Sequence, residues 1–166
     1  SSSDRVRWIK TSNWSSEQLR TRGSAEDAVR LSRTLIIGAG AIGSAVSENL
    51  VRSGVCDIGI IDNDILEVGN LSRHSLTIAD CGRDKAEAVA ERLNYCSPDV
   101  SASAFAMKFP PTDRRSVEAI RDYDVIVDCT GSDAVLESLA SFEWANEKVF
   151  VSLSIGWGAR EFFCFS

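Results

Sequence analysis

The chain has 166 residues, of which 44% are hydrophobic, and these proportions predict one globular domain with a sizeable buried core. Its formal charge of −6 and isoelectric point near 4.8 argue against nucleic-acid binding, which needs a basic surface, and favour a small ligand or a protein partner. No apolar run approaches the ~20 residues that span a bilayer, and the polar start lacks a signal-peptide core, so we expect a cytoplasmic protein without membrane contact.

Strands and helices are predicted to alternate after a polar leader or linker region at residues 1–30. The apolar run 34–37 ends in a glycine loop and is typical of a strand buried in a parallel sheet. Apolar residues at helical spacing predict the first long helix at 41–51. Further strands are predicted at 57–61, 100–107, 124–128, 149–155 and 161–166, and further helices at 84–95, after Pro111 with Thr112 as candidate cap, and at 132–146.

This alternation predicts an α/β fold over residues 31–166. The expected architecture has three layers and is Rossmann-like: a doubly wound, mainly parallel sheet with helices on both faces. In such sheets ligands bind at the carboxyl ends of the strands, where the topology switches direction.

A nucleotide-binding loop is predicted between the first strand and the first long helix. Gly38, Gly40 and Gly43 would let the backbone approach a phosphate, and the helix N-terminus would supply free N–H groups. Asp62 follows at the end of the next strand, near the ~20-residue separation expected for an acid that binds ribose. This pattern alone suits NAD, FAD and ATP equally, and a tight turn without a ligand is the alternative.

Beyond Asp62 the sequence resembles the ThiF/MoeB and ubiquitin-activating enzyme family. The resemblance runs from about Gln18 to the end of the chain and depends on two further motifs after the loop and the acid. These are Asn70-Leu71-Ser72-Arg73 and Gly82-Arg83-Asp84-Lys85. Members of that family use ATP to adenylate the C-terminal carboxylate of a ubiquitin-like or sulfur-carrier protein, and the resemblance implies the same activity here.

The resemblance also implies roles for individual residues. Asp62 would bind the ribose, while Asn70, Arg73 and Lys85 would bind the phosphates. Attack of a carboxylate on the α-phosphate brings anions together, so fixed positive charge from Arg73 and Lys85 suits this chemistry independently. His74 is expected to be a hydrogen-bonded structural residue rather than a base. The complete implied ATP site comprises Gly38, Gly40, Ala41, Gly43, Asp62, Asn70, Leu71, Arg73, Lys85, Gly131 and Ser132.

The magnesium site departs from the family pattern. Many relatives have an aspartate that helps to hold magnesium where this chain has Gly131. The metal ligand must then be Asp128, Asp133, or phosphate oxygens and water alone, because Mg²⁺ accepts few protein ligands.

The five cysteines are scattered and contain no Cys-x-x-Cys pair. Family members often carry a thioester-forming cysteine in a loop that would follow Ser166. Cys129 follows a buried strand and Cys164 lies on a predicted one, so we expect neither to be the acyl carrier.

The leader contains a further motif, Arg20-Thr21-Arg22-Gly23-Ser24. A similar run precedes the activating domain in bacterial proteins that carry a fused ubiquitin-conjugating-like domain. The resemblance implies a homodimer in which Arg22, or less favourably Arg20, reaches the partner's γ-phosphate as a catalytic residue. A solvated helix end is the alternative.

Two other functions stay open at this point. A nicotinamide-binding oxidoreductase domain would use the same glycine loop and acid. A degenerate scaffold that binds ATP or AMP without chemistry would explain Gly131 and the absence of a cysteine loop up to Ser166.

Overall fold

The protein is described by a computed structural model that covers residues 9–19, 23, 25–156, 158 and 160–166. A six-stranded sheet runs through this part of the chain in the order β3-β2-β1-β4-β5-β6. The strands are β1 Arg33–Ile37, β2 Asp57–Ile61, β3 Ser101–Phe105, β4 Val125–Asp128, β5 Val149–Ile155 and β6 Phe162–Phe165. The helices are α1 Ser16–Leu19, α2 Asp27–Arg30, α3 Ala41–Ser53, α4 Lys85–Asn94, α5 Arg114–Ile120 and α6 Asp133–Ser141.

The sheet is doubly wound, as the sequence predicts. Strands β1 to β5 are parallel, and β6 returns antiparallel to β5 with Phe165 opposite Ser152. The chain moves outward from β1 through β2 to β3, then crosses back to β4 on the other side of β1. The topological switch therefore lies between β1 and β4, where the glycine loop and the Asp128–Asp133 turn emerge side by side.

Two separate cores explain why the central strands are continuously apolar. Successive side chains of β1 point to opposite faces, so Ile36 packs with α3 and α4, while Leu35 and Ile37 pack with α5 and α6. Each of these side chains is at most 1% exposed, and its burial contributes about 1.5–3 kcal/mol. Both faces of the sheet are covered, which confirms the predicted three layers.

Most helix bounds lie within two residues of the predictions, and two of the differences have an identifiable cause. Helix α5 begins after Asp113, whose side chain accepts the N–H of Ser116 at 2.9 Å, so Asp113 and not Thr112 is the cap. Helix α6 ends at Ser141, five residues before the predicted end at 146, because Phe142 is already extended. The Phe142 and Trp144 rings pack with centroids 4.5 Å apart, and the Trp144 indole donates to the Leu139 carbonyl at 3.2 Å.

The leader is partly helical in the region that the structure describes. It contains α1 and α2, and the Ala25 N–H donates to the Ser53 carbonyl at the end of α3 at 2.8 Å. Arg20 and Arg22 lie outside the described residues. No helix in the described ranges combines the length and the apolarity needed to cross a membrane.

Candidate nucleotide site

The glycine loop connects β1 to α3 in a tight turn. Gly38 has φ +91°, and its N–H donates to the Ile61 carbonyl at 2.8 Å, which ties the loop to the end of β2. A Cβ on Gly43 would overlap the carbonyl oxygen of Gly38, so the helix passes this turn only without a side chain there. The loop therefore places the N-terminus of α3 at the carboxyl edge of the sheet, with its first-turn N–H groups available to an anion.

One cleft beside this loop, which we call the nucleotide cleft, has a volume of about 340 Å³. Gly38, Gly40, Asp62 and Lys85 all line it, so four predicted site residues meet there. The other lining residues are Ile37, Ile61, Asn63, Asp64, Met107, Lys108, Phe109, Cys129, Thr130 and Val135.

Lys85 is the best-placed cation of the nucleotide cleft. Its side chain is 10% exposed and its ammonium donates to Asp64 at 2.9 Å. The Lys85 N–H also donates to the Asp64 carbonyl at 2.9 Å, so the first residue of α4 is held on the loop that follows β2. The contacts with Asp64 thus fix the position of the Lys85 side chain at the cleft.

Asp62 organises the backbone around it. One carboxylate oxygen accepts the Ala39 N–H at 2.6 Å, and the other accepts the Asp64 N–H at 2.8 Å. The acid predicted to bind ribose therefore also holds the glycine loop against the end of β2. Each oxygen keeps a second lone pair that a ribose hydroxyl can use.

A second cleft, which we call the arginine cleft, has a volume of about 620 Å³. It contains the predicted residues Ala41, Arg73 and Gly131 and shares Cys129 and Thr130 with the nucleotide cleft. The two clefts therefore meet at the end of β4. Its remaining lining residues are Ile42, Ser154, Ile155, Gly156 and Phe163.

Gly131 leaves the arginine cleft open. Its φ is +62°, and among the described residues an added Cβ would approach one group within 4 Å, the Cβ of Ser154 at 3.7 Å. The positive φ of Gly131, and not a shortage of space for a side chain, favours glycine at this position.

Four residues of the predicted ATP site lie outside the lining of both clefts. Asn70 shapes the loop, because its side-chain oxygen accepts the Glu67 N–H at 3.0 Å and its carbonyl accepts the Arg73 N–H at 3.1 Å. Leu71 packs against the core that contains α3 and α4. Gly43 lies beneath the glycine loop, and Ser132 precedes the first residue of α6. The phosphate contact of Asn70 stays a prediction.

The acidic groups near β4 do not form a metal cage. Asp128 is 1% exposed, and its oxygens accept the Thr130 N–H at 3.0 Å, the Thr130 hydroxyl at 2.7 Å and the Ser152 hydroxyl at 3.0 Å. Asp133 is exposed at the start of α6. In the described part of the chain, no three His, Cys, Asp or Glu side chains group closely enough to hold a metal ion. These groups do not fit a metal held by several protein ligands, and a role for Asp128 or Asp133 stays a prediction.

Two titratable residues near the clefts, His74 and Cys129, interact with the surrounding protein. His74 contacts the Ala39 carbonyl with Nε2 at 2.6 Å and accepts the Leu76 N–H on Nδ1 at 3.1 Å, which confirms that it is hydrogen-bonded. Burial, and secondarily the Asp128 charge, raises the pKa of the Cys129 thiol to about 12. Cys129 therefore lacks the thiolate that an acyl carrier needs. Cys164 is exposed on β6.

Sequence reasoning missed the wall of the nucleotide cleft formed after β3. Met107, Lys108 and Phe109 line it, and Val135 of α6 faces them. The position of Lys108 just past the carboxyl end of a parallel strand was an available signal. Asp64 was missed as the partner of Lys85, because their contact joins separate motifs and depends on the fold.

The fold and the two clefts define a Rossmann-like nucleotide-binding domain. The sequence model of the ThiF family matches residues 15–156, and the chain belongs to this family. It is 50% identical over 165 residues to the "ATP-dependent ubiquitin transferase-like protein Cap2" of Enterobacter hormaechei, covering 99% of this chain and 28% of that protein. It is 32% identical over 130 residues to the "Sulfur carrier protein adenylyltransferase" of Thermus thermophilus, covering 75% and 47%.

A solved structure shows the same fold. The crystal structure of Escherichia coli MccB with ATP has a TM-score of 0.66 and 24% identity, covering 78% of this chain and 38% of that one. The chain thus spans less than half the length of each of these three proteins.

Proposed function

We propose that the chain is an adenylation domain, which uses ATP to activate the C-terminal carboxylate of a ubiquitin-like or sulfur-carrier protein. The observation that carries the proposal is the nucleotide cleft, where Lys85, Asp62 and the glycine loop meet next to the arginine cleft. Membership of the ThiF family and the names of the two relatives support it.

The proposed reaction has two substrates, ATP and the carrier protein. A carboxylate oxygen of the carrier protein attacks the α-phosphorus of ATP, the bond between the α-phosphorus and its bridging oxygen breaks, and pyrophosphate leaves. The products are an acyl adenylate and pyrophosphate. Lys85, Arg73 and the N-terminus of α3 would offset the negative charge that develops, while Asp62 would hold the ribose.

The shared wall between the clefts suggests where the substrates meet. ATP would occupy the nucleotide cleft and the carboxylate would enter along the arginine cleft, so that the reacting atoms come together near Thr130. Magnesium would be held mainly by phosphate oxygens and water, since Asp128 is 1% exposed and its carboxylate already accepts three hydrogen bonds.

We further propose a homodimer in which Arg22 acts across the interface, and a conjugating-type domain fused ahead of this one. Both proposals rest on the resemblance of the Arg20–Ser24 run to family members. A cytoplasmic location is proposed as well, supported by the need for ATP and by five cysteines that form no disulfide.

Ligand-dependent thermal stability tests the proposed nucleotide. ATP at about 100 times its Kd should stabilise the chain by about 2.7 kcal/mol, while NAD should give a much smaller effect. Equal or greater stabilisation by NAD would replace the proposal with the oxidoreductase alternative.

Two charge-removing variants test the assigned roles. Arg73→Ala and Lys85→Ala should each weaken ATP binding about 10-fold or more, the loss expected for a hydrogen bond to a charged group, while adenosine binding changes little. Calorimetric titration of both ligands measures this. Arg114→Ala is the matched control, because this arginine on α5 has a side chain that is 92% exposed. A uniform loss for ATP and adenosine would show damage to the fold instead.

A further inference from the structure

His74 joins two segments that are far apart in the sequence. Its ring lies between the Ala39 carbonyl of the glycine loop, at 2.6 Å from Nε2, and the Leu76 N–H, at 3.1 Å from Nδ1. A backbone N–H can only donate, so Nδ1 must accept. The ring proton therefore lies on Nε2, which donates to the Ala39 carbonyl, and the bridging form of the ring is neutral.

The ring completes a clamp on Ala39, a residue that is fully buried. Asp62 accepts its N–H at 2.6 Å from one side, and His74 donates to its carbonyl from the other. A longer contact supports the same junction, because the Ser75 N–H donates to the Ser44 hydroxyl of α3 at 3.4 Å. Arg73, which lines the arginine cleft, immediately precedes the clamp.

We propose that His74 is a positioning residue: its neutral ring fixes the position of the glycine loop relative to Arg73, so that the loop and the arginine bind the same triphosphate. This rests on the proposed function, since their relative position matters only if the loop and the arginine bind the same nucleotide.

The clamp is sensitive to acid. Burial lowers the pKa of His74, the bond to Ala39 opposes this, Lys85 and Arg73 lower it further, and Asp62 raises it. The unfolded chain therefore takes up the proton first, near the ordinary value of about 6.5. The stability that the neutral ring contributes is present above that pH and is lost as pH falls through the lower folded pKa. Protonation also places a hydrogen on Nδ1, opposite the Leu76 N–H, which breaks that bond.

Two substitutions separate positioning from general stability. His74→Ala removes both bonds. His74→Gln keeps an amide N–H donor group and an oxygen acceptor but cannot titrate, so it serves as the conservative rescue variant.

Hydrogen–deuterium exchange of the full chain without nucleotide gives the first readout. Exchange of the peptide covering residues 38–46, corrected for intrinsic rates, should rise about 10-fold in His74→Ala and return toward the wild-type rate in His74→Gln. In the wild type it should rise between pH 7.5 and 5.5, and in His74→Gln this rise should be absent. Unchanged exchange in His74→Ala, or a wild-type acid response in His74→Gln, would overturn the proposal. If His74→Ala does not fold, the acid response of His74→Gln decides.

Nucleotide titration gives the second readout. His74→Ala should lose about 10-fold in ATP affinity with less than about 2-fold for adenosine, and His74→Gln should recover most of the loss. Equal losses for both ligands would overturn the positioning role. A wild-type chain that binds no ATP, yet shows the expected exchange pattern, would contradict adenylation and leave the clamp standing.

Discussion

At the scale of single residues, the tightest packing constraint of the site lies beneath the glycine loop. An added Cβ at Gly43 would overlap the Gly38 carbonyl oxygen, and the backbone of Gly38 is itself held by a hydrogen bond to Ile61. Gly38 therefore cannot move away from an added Cβ without shifting the end of β2. The packing of helix and loop thus requires the glycine of the predicted nucleotide motif on its own, before any ligand is considered.

The substitution Gly43→Ala tests this constraint. We expect a loss of about 1–3 kcal/mol in the free energy of unfolding, because overpacking displaces the loop. Gly69→Ala is the control, since an added Cβ there meets no atom of the described residues within 4 Å, and it should change stability by less than about 0.5 kcal/mol. Urea unfolding followed by tryptophan fluorescence measures both. Similar unfolding midpoints for the two variants would contradict the packing constraint at Gly43.

Lys85 shows how a cation can be positioned at little energetic cost. Its partner Asp64 has a side chain that is 62% exposed, and an ion pair with such a partner contributes at most about 1 kcal/mol. A triphosphate, with stronger charge-assisted hydrogen bonds, can therefore displace Asp64 readily. The ion pair therefore holds Lys85 at the cleft, while Asp64 competes only weakly with a triphosphate for the lysine.

At the scale of secondary structure elements, the start of α5 gives a matched pair of neighbouring residues. Hydrogen bonds from the Ser116 side chain and from the Ser116 N–H to the Asp113 carboxylate lower the pKa of Asp113. We expect Asp113→Ala to cost about 1 kcal/mol through loss of the cap, whereas Thr112→Ala should be nearly neutral. Chemical denaturation of both variants measures the difference. A larger loss for Thr112→Ala would restore the cap that the sequence predicted.

The elements differ in how well local sequence predicts them. The bounds of β2 and β5 match the predictions. For β2, the buried run 58–61 that is ended by turn residues has few alternatives in a parallel sheet. Helix α6 was predicted too long because its apolar spacing continues past Ser141. The chain turns there so that Phe142 and Trp144 can pack with Phe109, a residue that follows β3. Such contacts between distant segments leave no local signal.

At the scale of the whole molecule, the proposed dimer makes a prediction of its own. Arg22→Ala and Lys85→Ala should each weaken ATP binding. If Arg22 acts in trans, the two residues of one site come from different protomers. Equal mixing of the two variants should give half heterodimers, each with one intact site. About a quarter of all sites should then regain wild-type ATP affinity.

Calorimetric titration of the mixture counts those sites, after sedimentation velocity has established the assembly state. A mixture of Lys85→Ala with Arg73→Ala is the control, because both residues would act within one protomer and no site becomes intact. Absence of recovered sites in the first mixture, or a wild-type chain that sediments as a monomer, would contradict the dimer.

The sequence by itself determined the alternation of strands and helices, the glycine loop, and the order of Asp62, Asn70, Arg73 and Lys85. These features depend on local periodicity, on glycine's backbone freedom and on motif spacing. The tertiary structure decided what could not be local: the division of the site into two clefts, the engagement of Asp128 by Thr130 and Ser152, and the clamp of His74 on Ala39. Each depends on distances between segments far apart in the chain, which only the packed sheet sets. The loop that began as a general nucleotide motif is thereby held from both sides by residues of the later motifs.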